Sequence, residues 1–74
     1  MTKEQIARKL QELNDDSPFI GIVTIMKATK LGHGKCRDLV EGLDTMAGPR
    51  HGNIVTQLYF VDDVAQRIME RGLI

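Results

Sequence analysis

The segment from Ile22 to Leu43, IVTIMKATKLGHGKCRDLVEGL, constrains this chain most, because two helical periodicities lie on either side of a short glycine turn. Phe19, Ile22, Val23 and Met26 stand three and four residues apart, the stripe an amphipathic helix presents to a core. The same offsets return at Cys36, Leu39, Val40 and Leu43. Between the stripes, Leu31-Gly32-His33-Gly34 offers one glycine to end a helix in the left-handed conformation and another to relax the turn into the next. Two helices meeting at a tight corner follow from this pattern, a helix-turn-helix.

Lys27, Lys30, His33, Lys35 and Arg37 cluster around that corner, with no acid until Asp38. The whole chain has formal net charge +0, so the cluster is a local concentration rather than a share of a general basic character. Lys35 and Arg37 are expected in the first turn of the second helix, from which side chains reach base edges in a duplex groove. The lysines before the turn can meet phosphates. The plainer alternative is a solvated corner whose cations serve solubility.

With 74 residues there is room for one domain, expected over 1–74, and one modest core. A chain this short buries only about 60 % of the surface its unfolded form exposes, so a homodimer would add useful stability. The single cysteine, Cys36, cannot form an internal disulfide, and its place on the apolar stripe fits a buried thiol in a reducing cytoplasm. The sequence opens without a basic leader and apolar segment, which argues against secretion. The longest apolar run, Phe19 to Met26, is far short of the ~20 residues a membrane span requires.

Taken in order, Thr2 with Gln5 forms a capping box that opens a first helix, with Ile6, Leu10 and Leu13 as its inner stripe beside Ala7. Asn14-Asp15-Asp16-Ser17-Pro18 breaks that helix, with Ser17 as the next cap and Pro18 in the first helical position. The segment Phe19 to Met26 is read as helix, with a buried strand as the alternative that periodicity leaves open. Ala47-Gly48-Pro49 is a stop, and Arg50-His51-Gly52-Asn53 a loop or hairpin tip. Ile54 to Phe60 reads as a strand, paired with residues near Met46 to His51. Asp62 or Asp63 caps a last helix with Val64, Ile68 and also Ala65 and Met69 facing inward, and Gly72 ends it. The fold class expected is α+β, mainly α: three helices, a β-hairpin and a C-terminal helix.

Other chemistries find little support. His33, Cys36 and His51 are the only soft metal ligands, too few and wrongly spaced for a zinc site, and no third group orients a Cys-His nucleophile. Gly32-His33-Gly34-Lys35 lacks the earlier glycine and the following hydroxyl residue of a phosphate loop. The pairs Asp15-Asp16 and Asp62-Asp63 fall where helix caps are expected. Single-stranded nucleic acid is disfavoured, since only Tyr59 is expected to show a ring edge while Phe19 and Phe60 join the core. Neither enzymatic activity nor a cofactor is expected.

Three helices followed by a hairpin resemble the winged helix-turn-helix family of DNA-binding domains. The residues carrying the likeness are Ala28, Leu31 and Gly32 before the turn, Lys35 to Leu43 as recognition helix, Arg50 to Asn53 as wing, and Leu58-Tyr59-Phe60 as returning strand. Tyr59 to Val64 also looks like the strand-to-helix step of phage excisionase and other small phage or plasmid regulators. The resemblance implies double-stranded DNA as partner in transcription regulation, recombination or replication, with Lys27, Lys30, His33, Lys35, Arg37, Arg50 and His51 as DNA-binding residues. One departure stands: counted from Ala28, the family's core positions in the recognition helix fall on Asp38 and Glu41, and the apolar residues here come one step later.

A shorter likeness exists as well. Lys27 to Gly32, Lys35 and Asp38-Leu39-Val40-Glu41, with Asp62 to Ala65, are similar to the helix pair in the C-terminal domain of the bacterial ribosomal stalk protein. That likeness implies a protein-binding adaptor, or an inhibitor of a host factor, using the same corner without nucleic acid. Here the gap between the matching blocks is longer, an N-terminal helix stands in place of the first strand, and little follows Gly72 for the last one.

Overall fold

Seven elements follow one another: α1 (Lys3–Leu13), β1 (Phe19–Ile20), α2 (Ile22–Thr29), α3 (His33–Val40), β2 (Thr45–His51), β3 (Ile54–Phe60) and α4 (Val61–Arg71). The computed structural model describes the backbone of residues 2–51 and 54–73 and the side chains of residues 2–48 and 57–73. The fold is α+β and mainly helical, and its helices, hairpin and C-terminal helix come in the expected order in a winged-helix-like arrangement.

The start of α1 is set by its cap. Thr2 Oγ1 accepts from the Gln5 amide at 3.2 Å while Gln5 Oε1 accepts from the Thr2 amide at 2.9 Å, so two otherwise unpartnered donors are satisfied reciprocally. Ile6, Ala7 and Leu10 are buried, against α4 on one side and α2 on another. Leu13, expected on the same stripe, is 50 % exposed because the helix ends at that residue and the chain turns away. Asp15 and Asp16 do not open a helix. Both adopt left-handed φ (54° and 61°), and the Asp16 amide donates back to the Gln11 carbonyl at 2.7 Å, closing the end of α1.

The segment from Phe19 to Met26 is neither all helix nor all strand. Phe19 and Ile20 pair antiparallel with Phe60 and Tyr59, the Val61 amide donates to the Pro18 carbonyl at 2.9 Å, and helix begins only at Ile22 after an extended Gly21. Ser17 and Pro18 therefore do not start a helix. Ser17 Oγ accepts from the Phe19 amide in a local turn, and Asn14 Nδ2 donates to the Phe19 carbonyl. Pairing with a distant strand outweighed the local start signal, and two strand residues are too few to show an alternation. The inner face of α2 differs from the expected stripe: Ile25 is fully buried, Ile22 and Met26 pack beside it, and Val23 is 65 % exposed.

The sheet has order β1-β3-β2, antiparallel throughout, with a register irregularity between Ala47 and Arg50. Residues directly opposite one another share a face. Ile20, Tyr59 and Thr45 thus look the same way, and Ile20 and Tyr59 are buried in the core. Tyr59, expected to show a ring edge, is only 9 % exposed. Phe19 and Phe60 occupy the other face with ring centroids 5.3 Å apart, and Phe60 is exposed rather than core, because the strand's period of two assigns it the side opposite Tyr59. Ala47-Gly48-Pro49, read as a stop, lies within β2. The pairing of β2 with β3 is as expected, with Arg50 opposite Val55 and His51 opposite Ile54, while the expected tip residues Gly52 and Asn53 lie outside the described residues.

No loop separates β3 from α4. Phe60 keeps extended dihedrals as the N-cap and helix follows at Val61, so Asp62 and Asp63 lie in the first turn and do not cap it. There their carboxylates face the positive end of the helix dipole. Val64, Ala65 and Ile68 are buried, Met69 is exposed, and Gly72 closes the helix in the left-handed conformation (φ 62°).

Candidate nucleic-acid interface

The corner joining α2 to α3 forms differently from the glycine pattern. Lys30, not a glycine, takes the left-handed conformation (φ 60°, ψ 21°), with its amide donating to the Met26 carbonyl at 2.8 Å. Thr29 stabilises this turn from within: its hydroxyl donates to the Ile25 carbonyl at 2.8 Å and accepts from the Leu31 amide at 3.3 Å. Leu31 packs against the core, an extended Gly32 serves as N-cap, and Gly34 lies inside the helix.

The second helix is shorter than Lys35 to Leu43. It starts at His33 and stops at Val40, where Glu41 leaves helical dihedrals and Gly42 turns with φ 83°, a conformation that favours glycine. Cys36, Leu39 and Val40 are buried and Leu43 packs beside them, as the periodicity required. Asp38 and Glu41, which fall on core positions by the family count, are both exposed. Cys36 lies 3.7 Å from Thr29 Oγ1, so the thiol sits in the seam between the two helices. Among the described residues, no group of three or more His, Cys, Asp or Glu side chains comes together.

Lys27, Lys30, His33, Lys35 and Arg37 are all exposed. Lys27 lies in the last turn of α2, Lys30 forms the turn, and His33 and Lys35 belong to the first turn of α3; Arg37, expected in that first turn, lies in the last one because the helix starts already at His33. At about 100° per residue, Lys35 and Arg37 flank the outward face from opposite sides, with Gly34 and Asp38 between them. A Cβ built on Gly34 would meet nothing within 4 Å, so the middle of that face is open. The backbone of Arg50 and His51 belongs to β2, and their side chains lie outside the described residues.

A groove of about 490 Å³ separates α3 from the hairpin, lined by Arg37, Asp38, Glu41, Thr45, Gln57 and Tyr59 among others. Thr45 and Gln57 carry no signal in the sequence, because two polar residues in strands read as ordinary solvent-facing positions. Asp38 is the acid that ends the basic run, and it pairs with Arg71 of α4 at 3.3 Å. Both partners are well exposed, so this pair contributes under about 1 kcal/mol to stability. Its larger effect is to place a negative charge, partly neutralised, on the outward face of α3. Arg67 also reaches this end of the helix, donating to the carbonyls of Leu39 at 3.1 Å and Glu41 at 3.0 Å.

Comparison with protein-family models, with curated proteins and with solved structures found no match. Among the described residues no helix is long and apolar enough to cross a membrane.

Proposed function

We propose that this chain is a small regulator or recombination accessory factor that binds duplex DNA through α3 and the hairpin. The observation carrying this reading is that Lys27, Lys30, His33, Lys35 and Arg37, a run of cations around the α2–α3 turn, are all exposed in an otherwise electrically balanced chain. The open backbone at Gly34 lets the wall of a major groove approach between Lys35 and Arg37. Arg37 suits a bidentate contact to guanine, Lys27 and Lys30 suit phosphates, and Arg50 and His51 on the hairpin suit the backbone or minor groove.

Titration of labelled mixed-sequence duplex by fluorescence anisotropy tests the proposal. Three or four phosphate contacts give log affinity falling with log salt at a slope of about −3. Absence of any anisotropy change at low salt overturns it.

A second expectation separates this function from mere folding. Glycine inside a helix is roughly 0.5–1 kcal/mol less favourable than alanine, and nothing crowds the position, so Gly34→Ala should raise the unfolding midpoint by a few degrees. In duplex titrations the same variant should bind several-fold more weakly, because the added methyl stands where the groove wall approaches. Stabilisation with unchanged affinity would remove α3 from the interface.

A protein partner is the second reading, favoured by the mixed charge of the outward face, where Asp38 and Glu41 accompany Arg37. A stoichiometric protein captured from nuclease-treated lysate, together with no duplex binding, would support it over the first.

A further inference from the structure

The recognition helix is only eight residues long and has no side-chain cap at its N-terminal end. Its last carbonyls, like those of any helix, have no partner within the helix. Here the Glu41 and Leu43 amides serve the Asp38 and Val40 carbonyls, and α4 supplies further partners. Arg67 spans the Leu39 and Glu41 carbonyls with one nitrogen, Nη1, at 3.1 and 3.0 Å. One turn further along α4, Arg71 holds Asp38 Oδ2 at 3.3 Å and lies 3.5 Å from the Asp38 carbonyl. Two cations thus sit at the negative end of the α3 dipole, where positive charge is favoured. Arg67 also stands beside Gly42: a Cβ built on that glycine would lie 3.8 Å from Arg67 Nη2, so the arginine lines the turn that leads into β2.

Resting on the duplex-binding reading, we propose that Arg67, assisted by Arg71, is a positioning residue: it holds the C-terminal end of α3 and so sets the angle at which the basic corner meets DNA. Arg67 acts through backbone carbonyls on the helix and makes no contact with phosphate itself. Its substitution therefore weakens binding without reducing the number of counterions released.

The test compares the wild-type protein with Arg67→Ala, Arg67→Lys and Arg71→Ala at a temperature where thermal melts show all four fully folded. Amide hydrogen exchange without DNA is read at Glu41 and Leu43, whose amides donate to the Asp38 and Val40 carbonyls. Both should exchange faster in Arg67→Ala, with partial recovery in Arg67→Lys, whose single ammonium holds carbonyls less rigidly than a planar fork. Duplex affinity of Arg67→Ala should fall about tenfold, a difference of about 1.4 kcal/mol, with the salt slope unchanged. A slope smaller by about 1 would make Arg67 a phosphate contact and overturn the positioning role. Unaltered exchange would overturn it too, as would unaltered affinity with faster exchange. A wild-type protein that binds no duplex overturns the functional reading instead, and the exchange measurement still decides whether α4 holds the helix end.

Discussion

Ile68→Ala is expected to lower the thermal unfolding midpoint by roughly 15 °C. Ile68 is fully buried in the core on α4, the helix that packs against both α1 and α3. Removing its methyl and methylene groups costs the lost transfer energy plus a cavity, about 2–5 kcal/mol. A chain of 74 residues has total stability of about 4–11 kcal/mol, so the substitution removes a large share of it. For a domain this size about 1 kcal/mol moves the midpoint by 4–8 °C, which predicts a fall of roughly 15 °C in calorimetry. Val23→Ala is the matched control, since that side chain is 65 % exposed and its truncation should stay within about 0.5 kcal/mol. Equal midpoints for the two variants would mean that the inner and outer faces of the helices are wrongly assigned.

The second large effect concerns binding. In the double variant Lys35→Ala with Arg37→Ala, both side chains are exposed, so its melting temperature should stay close to that of the parent. Duplex affinity should nevertheless fall about a hundredfold at moderate salt, from roughly 1–3 kcal/mol for a base-contacting arginine and a further share for the lysine. The salt slope should shrink by about one for each phosphate contact removed. Arg8 and Lys9 provide the comparison: they are equally exposed on α1, and their replacement should leave the slope intact. If both pairs of substitutions weaken binding alike, attraction is a general property of surface cations and the corner has no special role.

How much of this could be read from the chain depends on how local the cause was. The Thr2 and Gln5 box, the helical stripe through Cys36, Leu39 and Val40, and the final turn at Gly72 rest on neighbours within a few positions, and all three appear as their residues imply. Failures came where a distant segment decided. Phe19 and Ile20 became a strand because β3 was there to pair with them, and packing of α2 against α1 and α3 put Ile25 inside and Val23 outside. The Lys30 turn is the exception, a local cause of another kind: the Thr29 hydroxyl supplied a partner for the Leu31 amide two residues on, a bond invisible to a count of glycines. Within the candidate interface, the basic residues were legible as a run of charge. Arg67 and Arg71 were not, since four-residue spacing on a helix is common and their acceptors lie 26 to 33 positions away.

The absence of any linker between β3 and α4 has a mechanical consequence. Strand β3 runs straight into the last helix, and Arg67 and Arg71 of that helix bond the end of the short helix at the corner, so a shift of α3 draws on α4 and on the strand joined to it. Any change in the angle of α3 would therefore have to be taken up along α4 as well as at the corner itself.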